Sequence, residues 1–368
     1  MKIAIDVSPI EDINKLAHRV RGTGFYISNL KESFLKFYPD NKYIFFSNSS
    51  ELTKDIDIVH YPYFEPFFLT LPIFLRNRIV VTVHDLTPLV FPEHFKIGIK
   101  GKIKWQMQRS ALRRVDAIIT DSISSKKDII KFTGIEEHGV NVVYLAAGDQ
   151  FKKLQNAESK IQNLRKKYNL PEKFALYVGD VTWNKNLTRL IEAVEKINVP
   201  LVMVGKALVD KSADLGNPWN KDLVNVREKI ETNKKIICLG FVSNEDLVLL
   251  YNSATVFAMP SLYEGFGLPI LEAMSCGCPV VTSQSGSIPE IGGDAPFYVD
   301  PYDIDNIAQG LKKVFLDEKL RKILSEKGIQ QEKKFTWKKT VSQTMSVYEK
   351  ASGYMRENSI YFAKSLCF

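Results

Sequence analysis

Two glutamates eight positions apart, Glu264 and Glu272, bracket the run Gly265-Phe266-Gly267-Leu268-Pro269-Ile270-Leu271, in which a Gly-Phe-Gly turn opens a helix. Over a continuous helix eight residues rise roughly 12 Å. The paired carboxylates of glycoside hydrolases stand about 5–9.5 Å apart across one bond. The spacing therefore argues against an acid–base pair at a single glycosidic link. It suits a long ligand held at two ends, with a helix N-terminus between them facing an anion. A nucleoside diphosphate sugar has that outline: polyol, diphosphate, polyol. The competing reading is a pair of solvated helix charges.

A second segment, Tyr177-Val178-Gly179-Asp180-Val181-Thr182-Trp183-Asn184-Lys185-Asn186-Leu187, reads as a strand ending at a glycine, a loop, and the helix Leu187–Lys196. Lys185 stands just before that helix, where an ammonium group reaches a phosphate at the N-terminus. Alone it could equally be a solvated lysine; beside the Glu264 segment the functional reading prevails. In the first half, Arg21-Gly22-Thr23-Gly24-Phe25-Tyr26 precedes an amphipathic helix, Tyr26–Phe37. It lacks the third glycine of the dinucleotide fingerprint and does not directly follow a strand, which excludes a dehydrogenase. A glycine loop that lets backbone amides approach an anion or a sugar remains. His84-Asp85 closes an apolar strand, at the carboxyl edge where site residues collect; a satisfied strand-end histidine is the alternative. Ser285-Gly286-Ser287-Ile288-Pro289-Glu290 reads as a turn capping a short helix, lining a cleft or merely connecting. Asp55/Asp57 and Asp303/Asp305 have metal-pair spacing, but they fall at a strand start and a helix start, where Asp is a favoured cap, and are read as structural.

Short apolar runs must position these residues. They fall at Lys2–Val7, Tyr43–Ser47, Ile56–Tyr61, Ile79–His84, Ala117–Asp121 and Val140–Tyr144, then at Ala175–Val178, Leu201–Val204, Ile236–Leu239, Val256–Met259, Val280–Thr282 and Phe297–Val299. Rich in Val and Ile and without clean alternation, they read as strands buried on both faces. Alternating with helices, they imply an α/β chain of two doubly wound parallel sheets, with ligands beyond the carboxyl ends of the strands and a cleft between the domains. The expected division is 1–168, 169–345 and a C-terminal helix and tail, 346–368, crossing back to the first domain. The 368 residues allow two cores, and 45% hydrophobic with 25% charged residues fits a soluble globular protein. With no apolar run near the roughly 20 residues of a spanning helix, and a first segment that reads as a strand and not a leader, the cytoplasm is the expected compartment. Four cysteines without zinc spacing agree. The net charge of +8 favours an anionic partner.

That charge concentrates in Lys96–Arg114, which carries Lys96, Lys100, Lys102, Lys104, Arg109, Arg113 and Arg114 among Ile, Trp and Met with no acidic residue. One reading is a helix lying on an anionic membrane, each cation adding roughly 1 kcal/mol; the other is a domain helix packed on its sheet. The membrane reading points to a lipid-linked acceptor and to a peripheral place on the inner face of the cell membrane. Nucleic acid is disfavoured, because the aromatic platform expected for single strands is missing.

With Gly22-Thr23-Gly24, His84-Asp85, Gly179 through Lys185-Asn186-Leu187, and Glu264 through Glu272, nearly the whole chain resembles glycosyltransferase family 4, retaining enzymes with two facing Rossmann-like domains (the GT-B architecture). The resemblance implies that Glu272 holds the donor ribose and Glu264 contacts the donor sugar. It implies that the amides of Phe266, Gly267 and Leu268 meet the diphosphate, with Lys185 neutralising it. His84 would contact the sugar near the reacting carbon, and the amides around Gly24 would approach the diphosphate. Gly179 and Asn184 would line the donor site. No cofactor or metal is implied; a nucleotide diphosphate sugar is the donor and a saccharide or lipid-linked saccharide the acceptor. Where many members carry an arginine, this chain has Asp180 and Asn184, which leaves more of the charge to Lys185 or to a neighbour such as Lys206. The Gly179–Leu187 and His84–His94 stretches are similar to mannosyltransferases of surface polysaccharide assembly, which implies GDP-mannose. A sugar-nucleotide epimerase of the same architecture and a non-catalytic carbohydrate-binding protein are the rival readings.

Overall fold

A computed structural model describes residues 1–11, 22–72 and 77–353 of the chain. It forms two units. The first holds the described residues of 1–90, 97–145 and 336–353; the second holds 91–96 and 146–335.

The first unit is built on a six-stranded sheet of β1 (Lys2–Asp6), β2 (Lys42–Phe46), β3 (Ile58–Tyr61), β4 (Ile79–Thr82), β5 (Ala117–Thr120) and β6 (Val140–Val142). The order is β2-β1-β3-β4-β5-β6 and every pairing is parallel. β3, β4 and β5 are buried at every position, as strands covered by helices on both faces must be. The helix Gly22–Phe37 turns Tyr26, Ile27, Leu30 and Phe34 inward, a 3.6-residue stripe. The helix Trp337–Ser352 packs on it and on β3, β4 and β5, with the Phe34 and Tyr348 rings stacked at 5.6 Å.

The second sheet contains β7 (Ala175–Val178), β8 (Leu201–Val204), β9 (Ile236–Cys238), β10 (Val256–Met259), β11 (Val280–Thr282) and β12 (Phe297–Tyr298), all parallel. The order β12-β11-β10-β7-β8-β9 is that of a dinucleotide-binding sheet, third-second-first-fourth-fifth-sixth when read from β9. The strand order reverses between β7 and β10, so the loops after these two strands flank the switch point where such sheets bind ligands. Ala175, Leu176, Val256 and Phe257 seal that seam without exposure; burying a side chain such as Leu or Phe contributes about 1.5–3 kcal/mol.

All twelve expected strands are present, shortened by a residue or two at some ends. The units divide elsewhere than the expected 168/169 and 345/346. The helix Glu158–Tyr168 packs on the helix Asn244–Ser253 of the second unit, where Lys167 and the Tyr168 hydroxyl both reach Asp246 at 2.7 Å. The returning helix joins the first unit from Thr336, whose side chain caps it by accepting from the Lys339 amide. The tail Tyr354–Phe368 lies outside the described residues.

The expected glycine loop differs too. Gly22, Thr23 and Gly24 are the first turn of the helix Gly22–Phe37, and Gly24 is buried in it. Arg21 lies outside the described residues. The aspartate pairs are structural: Asp57 accepts from the Lys2 amide and Asp55 pairs with the Lys2 ammonium, while Asp303 caps the helix Ile304–Leu316 and Asp305 pairs with Lys196. Among the described residues no three His, Cys, Asp or Glu side chains gather as metal ligands.

Candidate functional site

In the second unit the site residues come from the two loops at the switch point. After β7 the chain passes Gly179 (φ +155°), turns through Trp183–Lys185, and places Asn186 in the left-handed region before the helix Leu187–Lys196. A Cβ on Gly205, after β8, would collide with the Gly179 carbonyl, so that approach demands glycine. After β10 the chain runs out to Glu264. Three bonds knit the loops: Leu262 N donates to Asn184 O (2.7 Å), Asn184 Nδ2 to Tyr263 O (3.0 Å), and Asn186 Nδ2 to Pro260 O (2.9 Å). Asn184 thus acts through backbone geometry.

Across this seam the Lys185 ammonium donates to both oxygens of Glu264, at 2.9 and 2.8 Å. The side chains are 20% and 7% exposed, so the pair is largely desolvated; removing one partner of such a pair is costly because the other charge is left buried. Glu264 is held from behind. The Ser287 amide donates to its carbonyl (3.1 Å), and the Ser287 hydroxyl lies 2.8 Å from Phe266 O. Gly286 (φ +60°) makes this possible, since a Cβ there would sit 2.5 Å from Glu264 O. The Ser285–Glu290 turn therefore supports the site loop instead of merely connecting.

Glu264 precedes the helix, which runs from Leu268 to Ser275 with Gly267 (φ +98°) at its N-cap. The stretch from Glu264 to Glu272 is thus not one continuous helix, and the two carboxylates have separate anchors. Glu272, buried one turn in, accepts from the Tyr251 hydroxyl at 2.8 Å. Burial, and then the Glu272 charge, push the Tyr251 phenol well up, so it stays a donor. Burial, with Glu272 adding, raises the Cys276 thiol to about 12, which makes it inert as a nucleophile. The Phe266 ring is buried, and Leu268 starts the helix whose N-terminal dipole favours an anion.

The segment Phe91–Lys96 belongs to this unit. Phe91 lies 4.9 Å from Trp183 and 5.3 Å from Tyr263, the residues that lead into Asn184-Lys185 and Glu264. His94 stacks on Trp183 at 3.7 Å, and Trp219 Nε1 donates to Lys96 O at 2.7 Å.

In the first unit His84 follows β4 and its Nδ1 lies 2.6 Å from Asp121 Oδ2, directly after β5. The Thr82–Ile119 register puts these two beyond the same sheet edge. Burial lowers the His84 imidazole, but the Asp121 charge and hydrogen bond outweigh it and the net shift is upward. His60 behaves oppositely: fully buried within β3, it is pushed down to about 3 by burial, then by His84, and is neutral. Its Nε2 lies 2.8 Å from Thr82 Oγ1, which lies 3.1 Å from the Tyr26 hydroxyl.

The basic segment forms the helix Ile99–Leu112. Gln108, Ala111 and Leu112 are buried and Trp105 packs on the core, whereas Ile99 and Ile103 are exposed. Gln108 Oε1 accepts from the Thr70 and Leu71 amides (3.0 and 2.9 Å), pinning a loop whose Phe68 and Leu69 are also exposed. Lys104 Nζ lies 5.6 Å over the Phe68 ring. The domain-helix reading holds: one side of the helix packs on the core, and the exposed side carries Ile99 and Ile103 between lysines.

Sequence reasoning missed Asp121, Tyr251, Ser287 as a support, and the Phe91–Trp183–Tyr263 cluster. Asp121 carried the signal that found His84, a polar residue closing an apolar strand.

The family described as "Glycosyl transferases group 1" matches residues 160–331, and "Glycosyltransferase Family 4" matches 14–147. The O-antigen chain mannosyltransferase B of Escherichia coli is 32% identical over 74% of this chain and 70% of its own length. The serotype-specific mannosyltransferase WbdA of the same species is 30% identical over 72% of this chain, and the match spans 32% of its length. The solved structure of Anabaena Alr3699/HepE in complex with UDP-glucose shares the fold at a TM-score of 0.67 and 20% identity, covering 96% of this chain and 100% of that one.

Proposed function

Because the chain belongs to glycosyltransferase family 4, we propose that it transfers a hexosyl group from a nucleoside diphosphate sugar to a saccharide acceptor. The observation that carries this reading is the Lys185–Glu264 pair at the β7/β10 switch point, beside the Leu268–Ser275 helix N-terminus. A diphosphate placed there meets an ammonium group and a helix dipole, the two elements that stabilise departing negative charge. Glu264 then lies where the donor sugar begins, and Glu272, steadied by Tyr251, takes the ribose hydroxyls.

As the diphosphate leaves, the anomeric carbon gains positive character, and the site favours that distribution over the ground state. The acceptor attacks from the leaving-group face and configuration is retained. His84 contacts the sugar, and the amides at Gly22–Gly24 approach the diphosphate. Lys185 and the helix N-terminus take the charge-neutralising role that a metal fills in other transferases.

GDP-mannose is the proposed donor and a lipid-linked saccharide of surface polysaccharide assembly the proposed acceptor; the two mannosyltransferases that match most of the chain support the mannosyl group, and the O-antigen chain named for one of them supports a polysaccharide product. The exposed Ile99, Ile103, Phe68 and Leu69, set among lysines, support docking on the cytoplasmic face of an anionic membrane.

Thermal unfolding with a panel of nucleoside diphosphates and their sugars, on wild type and Glu272→Ala, tests the reading. A ligand at a hundred times its dissociation constant stabilises by about 2.7 kcal/mol. Stabilisation by one base, lost in the variant, identifies the donor class; none with any nucleotide sinks the proposal. Acceptor-dependent release of the nucleoside diphosphate separates transfer from epimerisation and from binding alone.

A further inference from the structure

We propose that Asp121 is the positioning residue of His84, fixing the orientation and tautomer of the imidazole that meets the donor. The inference rests on the reading that His84 contacts the donor sugar; it adds what makes His84 competent there.

Asp121 is 2% exposed and its Oδ2 lies 2.6 Å from His84 Nδ1. Carboxylate and imidazole leave adjacent parallel strands at matching register, so the contact follows from the sheet and needs no loop rearrangement. A carboxylate beside Nδ1 selects the tautomer protonated there and directs Nε2 the other way, as in any carboxylate–histidine pair. Nε2 is buried and makes no hydrogen bond of ordinary geometry among the described residues, although the Pro62 carbonyl acts on the ring; Asp121 Oδ1 makes none either. A buried polar atom left unpaired in a native fold calls for an explanation, and a ligand hydroxyl or phosphate oxygen provides one for Nε2.

The neighbours fix the ring further. The Tyr26 ring stands edge-on to it at 4.9 Å and 89°. Tyr26 is in turn held by Thr82, Thr82 by His60, and His60 by Tyr348 at 2.6 Å. The titratable and charged groups facing His84 are Asp121 from β5, its own neighbour Asp85, His60 from β3 and the Tyr26 phenol, with the Pro62 carbonyl favouring the protonated ring. His60 stays neutral, which leaves the two aspartates as the charges that act on it. Burial raises Asp121 and the His84 charge partly offsets that, while Asp121 raises His84. The His84 shift keeps its proton to higher pH than an isolated imidazole would.

Nuclear magnetic resonance of protein carrying 15N-histidine tests this, with His84→Gln identifying the resonances. In wild type, the expected His84 ring is protonated at Nδ1 and titrates above the ordinary imidazole value near 6.5. A ring titrating at or below that value, or neutral with its proton on Nε2, overturns the proposal without any variant. In the isosteric Asp121→Asn, the titration should move down by about one unit or more. Turnover at neutral pH should fall about 10–100-fold, the loss seen when a metal-bound histidine loses its carboxylate partner, and the alkaline limb should move with the titration. Asp121→Glu should restore part of both. Unchanged titration and an unchanged pH profile in Asp121→Asn overturn the inference if His84→Gln is impaired, whereas full turnover in His84→Gln removes the role of His84 itself.

Discussion

The Tyr348 hydroxyl lies 2.6 Å from His60 Nδ1, tying the last described helix of the chain to the middle of the first sheet across 288 positions of sequence. Both groups are buried, and the bond heads a chain that passes through Thr82 to Tyr26 beside His84. Removing the hydroxyl in Tyr348→Phe strands a buried imidazole nitrogen, at a cost of about 1–3 kcal/mol. Thermal denaturation should show a lower midpoint, while nucleotide binding to the second unit should survive.

The same histidine gives a pH dependence. Its folded value of about 3 lies below the ordinary 6.5, so between those limits the unfolded chain binds a proton that the folded one refuses. Stability should fall as pH drops through this window, by about 1.4 kcal/mol per unit from this group. Asp6 and Asp121, raised by burial, work against that slope at its acid end. Urea titrations from pH 7 to pH 4 should show the slope, and His60→Gln should flatten it.

Lys185→Ala should lower turnover by about 10²–10³, the usual loss when a stabiliser of developing charge goes. It also leaves the Glu264 carboxylate buried and unpaired. The double variant Lys185→Ala/Glu264→Gln should therefore melt higher than Lys185→Ala and remain inactive. Near-normal turnover of Lys185→Ala would refute the assignment.

Gly286→Ala tests the support behind Glu264. The added Cβ meets the Glu264 carbonyl and amide, and φ of +60° disfavours any side chain. The expected result is a lower melting midpoint with loss of transfer exceeding loss of nucleotide affinity, since Glu264 is displaced and Glu272 is not. Equal activity and stability would mean that the turn does not set the Glu264 geometry.

For the basic helix, Ile103→Ser with Lys104→Glu should reduce co-sedimentation with vesicles containing anionic lipid by more than it reduces co-sedimentation with neutral vesicles. Raised salt should mimic the lysine change, because surface charges are screened within about 8–10 Å. Equal sedimentation of both proteins would remove the membrane from the reading.

The sheets were legible because their strands are buried on both faces, so Ala175–Val178 or Val256–Met259 stand out as unbroken apolar runs. Lys185, Glu264 and Glu272 were legible because spacing and turn residues mark the ends of those runs. Gly22-Thr23-Gly24 opens a helix and not the expected loop, because glycine permits a loop without requiring one. Asp121 needed the β4–β5 register, which no single segment contains. Tyr251 and Ser287 act from elements distant in sequence, and nothing in Phe91–Lys96 says which core those six residues will join.

That six-residue segment makes the chain change units four times, at 90/91, 96/97, 145/146 and 335/336. The two halves are therefore not interchangeable modules separated by one junction. A chimera that takes its donor half from a relative at position 146 alone would set foreign counterparts of Trp183, Tyr263 and Trp219 under a native Phe91, His94 and Phe95. Grafting residues 91–96 together with 146–335 keeps those aromatic partners matched, so swaps of donor specificity should be designed as two-piece transplants.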